Sequence, residues 1–234
     1  MITIKIKDIP ITFVESYNRE QTIAIIQSHK LLNYIDRNLS NKSVKINSIR
    51  IDKVNFFGKN VGFIYLESDI EVNGSNVPGI AFLRGDSVAM LLILNTITPN
   101  KEKKQFSIMI EQYRANVGKF SKGIPAGMID EEGQVTSTAI KEIEEEVGEL
   151  NITEKDLVFV TKYAPSSGGC DENLSIYYAE VEVGYAELMS FQDRITGSES
   201  EKEVIKLDVI PFENIPNYGI KAKVAFDKYI ENNK

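Results

Sequence analysis

The run from Ser87 to Leu94 reads SVAMLLIL, apolar at every position after its first. A strand turns successive side chains to opposite faces, so a strand apolar at both parities is buried on both. Read as a strand, the run needs cover on each side of its sheet. Neighbouring segments agree. FSIMIEQYR, Leu157–Lys162, Leu174–Val183 and Val204–Ile210 read as strands, while Val135–Val147 and the closing FENIPNYGIKAKVAFDKYIENN read as helical. Strands alternating with helices predict a mixed α/β layered domain. Upstream, short strands surround one helix-like stretch, Arg19–Asn38, with polar breaks at NLSNKS and EVNGSNVPG. Phe56–Val72 reads as a hairpin turning near Gly58–Asn60. The expected division is a smaller β-rich region over 1–78 and a larger α/β domain over 79–234.

Composition narrows the chemistry. With 42% hydrophobic and 26% charged residues in 234, the chain can build a core without covalent staples. Cys170 is the single cysteine, which excludes an internal disulfide and fits a reducing compartment. The longest apolar run is too short to span a bilayer. The start, MITIKIKDIPITFVE, lacks an apolar signal core and carries Asp8 and Glu15. The expectation is a cytoplasmic protein with no membrane partner. A net charge of -7 and a pI near 5.0 oppose a nucleic-acid partner. His29 is the only histidine, so a Cys/His zinc site is excluded and acid–base work falls to carboxylates, Lys or Tyr. No phosphate-binding or dinucleotide-type glycine motif occurs.

The most unusual stretch is Gly127–Gly148, GMIDEEGQVTSTAIKEIEEEVG. Val135, Ala139, Ile143 and Val147, with Ile140, form one apolar helical stripe. Glu142, Glu145 and Glu146 share the adjacent stripe, and Glu144 points elsewhere. Like charges at this spacing each cost a few tenths of a kcal/mol, and a helix C-terminus is itself partly negative. A hard divalent cation would turn that repulsion into ligation. A solvated acidic face is the other reading of an isolated EIEEE. The glycine-rich turn GIPAGMIDEEG just upstream favours the cation, since its carbonyls can point to the same place.

This stretch resembles the Nudix box, the signature of nucleoside-diphosphate hydrolases. Gly127, Glu142, Ile143, Glu145, Glu146 and Gly148 match it in spacing and type. Three positions depart. Gly133 and Lys141 replace the Glu and Arg that usually tie loop to helix, and Glu149 stands at the final apolar position. Lys141 is expected to pair instead with Glu131 or Glu132. The blocks VPGIAFLRGDSVAMLLIL, IEQYR, GIPAGMID and SSGGCDENLSIYYAEVEV, with FFGKNVGFIYLESDI, resemble ADP-sugar diphosphatases of the plant type and ADP-ribose pyrophosphatases, over roughly residues 30 to 215. The resemblance implies a Nudix α/β/α sandwich with a mixed sheet, preceded by a β-rich region used in homodimerisation. It implies that the Ala126 carbonyl, Glu142, Glu145 and Glu146 hold magnesium, or manganese in its place, with Glu203 a further contact. It makes Glu201 the general base, and Glu145 is named with it as catalytic. Arg114 and Arg84 would fork onto phosphate, and Gly168, Gly169, Asp171 and Glu172 would line the substrate. A solvated loop at Glu199–Glu203 and structural ion pairs for both arginines remain the alternatives. Cys170, beside acidic neighbours, reads as a packing residue. The implied activity is hydrolysis of ADP-sugars, ADP-ribose or ADP-glucose, to AMP and a sugar phosphate. A silent nucleotide-binding sensor and a simple calcium-binding helix are the other readings.

Overall fold

A computed structural model describes residues 3–129, 135–197 and 203–234. It separates into two compact units. The first takes in the chain as far as Asp86 together with Ala164–Asn173, and the second holds Ser87–Tyr163 and Leu174–Lys234.

The first unit runs β1 (Thr3–Ile6), β2 (Ile9–Phe13), α1 (Arg19–Gln27), α2 (His29–Leu39), β3 (Val44–Phe57), β4 (Asn60–Val72), β5 (Ser75–Val77) and β6 (Ile80–Leu83). The strands form a sheet in the order β1-β2-β3-β4-β5, with β6 also on β4. One face carries Ile49, Ile51, Ile64 and Leu66, packed against Ile25, Leu31 and Ile35 of the helices. Each such fully buried aliphatic side chain contributes about 1.5–3 kcal/mol. The expected single helix over Arg19–Asn38 is two. The Ser28 hydroxyl donates to the Ile25 carbonyl and accepts from the Leu31 N–H, so one side chain ends α1 and caps α2. The hairpin turns as expected, with Phe57 opposite Asn60 and Gly58 at φ +61°. Residues 164–173 join this unit because the Phe82 N–H donates to the Gly169 carbonyl and the Asp171 N–H to the Phe82 carbonyl.

The second unit runs β7 (Ser87–Ile97), β8 (Lys103–Arg114), β9 (Lys119–Gly123), β10 (Ala126–Met128), α3 (Val135–Glu146), β11 (Val158–Tyr163), β12 (Leu174–Glu182), α4 (Tyr185–Ser190), β13 (Ile195–Thr196), β14 (Ile205–Pro211) and α5 (Ile220–Asn232). Its sheet order is β11-β12-β7-β8-β14-β13, with β10 on β7 and β9 on β8. The β12–β7 pair is parallel and its neighbours are antiparallel, so the sheet is mixed. β7 is central. Val88, Met90, Leu92 and Leu94 face a core closed by α3 and α4, and Ala89, Leu91 and Ile93 face one closed by α5. The double-sided burial expected of SVAMLLIL is what makes this an α/β/α sandwich. Among the described residues no helix is long and apolar enough to cross a membrane.

Candidate active site

The site is built where α3 crosses β10. Ala139 and Ile143 are buried on the sheet, which orients the rest of the helix. Residues one turn on the same side then meet the β10 backbone. The Glu142 carboxylate lies against Gly127 so closely that a Cβ there would sit 1.8 Å from its Cδ. The Ala126 N–H donates to Glu146 Oε2 at 3.1 Å. Glu146 is only 4% exposed. Burial, then repulsion from Glu142, pushes its carboxyl up from 4.5 to about 8; Glu203 adds to the rise, while the Ala126 bond and the Lys221 cation oppose it.

Glu203 enters from the other side of the sheet order, at the foot of the loop joining β13 to β14. Its carboxylate accepts from Gln112 Nε2 at 3.0 Å. The loop's other foot is tied down as well. The Thr196 hydroxyl donates to the Glu146 carbonyl at 2.5 Å. Gly197 has φ +110°, and a Cβ on it would stand 2.7 Å from the Glu203 carbonyl oxygen. Glu199 and Glu201 lie in this loop, outside the described residues.

Thus Ala126, Gly127, Glu142, Glu146 and Glu203 come together. Glu145 stands on the exposed flank of α3, 3.4 Å from the Lys141 ammonium. The expected partners of Lys141, Glu131 and Glu132, lie outside the described residues, as does Gly133. Arg114 ends β8, exposed, on the face of that strand that carries Ile110 and Gln112. Its guanidinium has no ion-pair partner among the described residues.

The remaining expected residues belong to the first unit. Asp171 Oδ1 accepts the backbone N–H groups of Arg84 and Gly85 at 2.8 and 3.1 Å. Arg84 Nη1 stands 3.5 Å from Glu172, and its buried Nε has no partner among the described residues. Arg37 donates to the Asp171 carbonyl and to Asp86. A Cβ on Gly168 or Gly169 would meet nothing within 4 Å, so the protein's own packing does not require glycine there. Burial first, then the charges of Asp171 and Glu172, pushes the Cys170 thiol up, away from nucleophilic use.

The donor set of the second unit fits a hard divalent cation. Carboxyl groups converge, one is buried with its pKa raised to about 8, and the glycine cradle holds another. Among the described residues no three such side chains close a coordination sphere by themselves. Magnesium does not need that, since it is held by one or two carboxylates with water and substrate phosphate completing the shell. Sequence reasoning missed Gln112, Thr196 and Lys221. Gln112 left a signal, a polar residue continuing the buried parity of Ile108 and Ile110. Lys221 left none, because its proximity to Glu146 is long-range.

Comparison with known proteins follows the same line. The model of the NUDIX domain family matches residues 92–229. "Nudix hydrolase 14, chloroplastic" of Arabidopsis thaliana is 32% identical over 198 residues, covering 80% of this chain and 62% of its own length, so the chain spans less than two thirds of that relative. A solved structure described as an ADP compounds hydrolase superposes with a TM-score of 0.54 at 17% identity, over 82% of this chain and 96% of its own.

Proposed function

The chain belongs to the NUDIX family, and from that premise we propose that it is a magnesium-dependent hydrolase of ADP-sugars, ADP-ribose or ADP-glucose, releasing AMP and a sugar phosphate. The observation that carries this reading is the pairing of Glu142 against Gly127 with Glu146 buried on the Ala126 N–H. Such an arrangement is costly for carboxylates without a cation and favourable with one. Glu142, Glu146 and Glu203, with the Ala126 carbonyl and Glu145, would hold magnesium, or manganese in its place. The bound ion would neutralise pyrophosphate oxygens and lower the pKa of water. Glu201 takes the proton from the attacking water. Arg114 forks onto phosphate oxygens. Arg84, Gly168, Gly169, Asp171 and Glu172 line the nucleotide sugar. The reading includes a homodimer and a cytoplasmic location.

The test is AMP release from ADP-ribose and ADP-glucose, side by side, with magnesium and with EDTA. Magnesium-dependent AMP is the expected result, and the ratio of kcat/KM values identifies the substrate. No AMP from either, with thermal stability still raised by one of them, would replace this reading with a nucleotide-binding sensor.

A further inference from the structure

Gln112 is 9% exposed and continues the inward parity of Ile108 and Ile110 on β8. A carboxylate only accepts, so the amide must turn Nε2 to Glu203, which it does at 3.0 Å. Its Oε1 is then buried with no hydrogen-bond partner among the described residues. A buried, half-satisfied amide is unfavourable, and an apolar side chain of the same length would avoid that penalty. Packing therefore gives no reason for a glutamine here. What the glutamine adds is an N–H held on Glu203.

The surroundings show why that matters. The Thr196 hydroxyl ties one foot of the β13–β14 loop to the Glu146 carbonyl, and the Gly197 backbone passes close to the Glu203 carbonyl. Neither of these acts on the Glu203 carboxylate. Gln112 is the contact that acts on the carboxylate itself.

We propose that Gln112 is a positioning residue for the divalent-cation site, holding the Glu203 carboxylate in the orientation in which it meets a cation beside Glu142 and Glu146. This rests on the metal-dependent reading above. The experiment measures Mn2+ affinity, by the EPR signal of the free ion, for wild type, Gln112→Met, Glu203→Gln and the double variant, with Tm recorded in EDTA. Gln112→Met is expected to weaken Mn2+ binding by about tenfold or more. Its Tm in EDTA should be unchanged or higher, since the half-satisfied amide is gone. The double variant should bind no more weakly than Glu203→Gln alone, because Gln112 acts through Glu203. Should Gln112→Met not fold, Gln112→Asn keeps the amide, withdraws it from Glu203 and is expected to show the same loss. Wild-type affinity in the folded variant would overturn the inference, as would losses that multiply in the double variant. A wild type that binds no Mn2+ would overturn the metal reading itself and the inference with it.

Discussion

Two residues show how the site depends on a single atom. Gly127 is the position where a methyl group cannot coexist with Glu142 as placed. The atoms it would strike end a flexible side chain, so the backbone need not move. Gly127→Ala should therefore cost little stability, about 1 kcal/mol or less, while turnover falls at least a hundredfold as Glu142 is driven off. A loss of Tm in proportion to the loss of turnover would show the glycine to be structural instead. Glu146 makes a prediction about pH. Its carboxyl titrates near 8 in the metal-free fold against an ordinary 4.5, so the native state holds a proton that the unfolded chain releases. The stability this contributes is fully present below pH 4.5 and is lost as pH rises through about 8, a fall on the order of 5 kcal/mol. In EDTA, the wild-type Tm should drop between pH 5 and pH 8. Glu146→Gln should flatten that drop, raise the metal-free Tm at pH 8 and cut turnover by orders of magnitude. A level wild-type profile by calorimetry would refute the assignment.

At the scale of elements, α3 and the β13–β14 hairpin divide the work. α3 was legible because Val135, Ala139, Ile143 and Val147 repeat at helical spacing, and the helix indeed runs Val135–Glu146. It stops at Gly148, at φ +129°, whose N–H donates back to the Ile143 carbonyl. Of the hairpin, only β14 was legible, as the strand expected over Val204–Ile210. β13, Ile195–Thr196, is too short for periodicity, and the acidic loop reads the same whether solvated or catalytic. Ser28 was missed for a related reason: a serine inside a helical pattern is ambiguous until its hydroxyl is seen to serve both neighbouring helices. The loop carries its own prediction. Glu201→Gln should lower turnover with Mn2+ affinity nearly unchanged, because a general base meets water rather than metal. Affinity that collapsed with turnover would make Glu201 a ligand.

For the whole molecule, the exposed face of the first unit's sheet supports the proposed homodimer. Phe57, Phe63, Phe82 and Tyr65 form a row of ring contacts with centroids about 5 Å apart, the Phe57–Phe63 pair edge-on and the others tilted, and Phe57 and Tyr65 are 51% and 39% exposed beside Ile80 at 74%. Sedimentation equilibrium should give a dimer for wild type and a monomer for Tyr65→Glu; a wild-type monomer would sink that arrangement. The layered architecture came from the sequence itself. A strand apolar at both parities has to be covered on both faces, and the spacing of Gly127, Glu142, Glu145 and Glu146 carried the family. Tertiary structure alone decided which carboxylates meet. Local periodicity places Glu142, Glu145 and Glu146 on one stripe, yet packing against β10 buries Glu146 and cradles Glu142, while Glu145 stays exposed beside Lys141. It also decided that Ala164–Asn173 belongs with β6, and that Gln112 and Glu203 face one another. Helical and strand periods constrain only neighbours along the chain, whereas these contacts join residues far apart in sequence and exist only once the sheet has assembled.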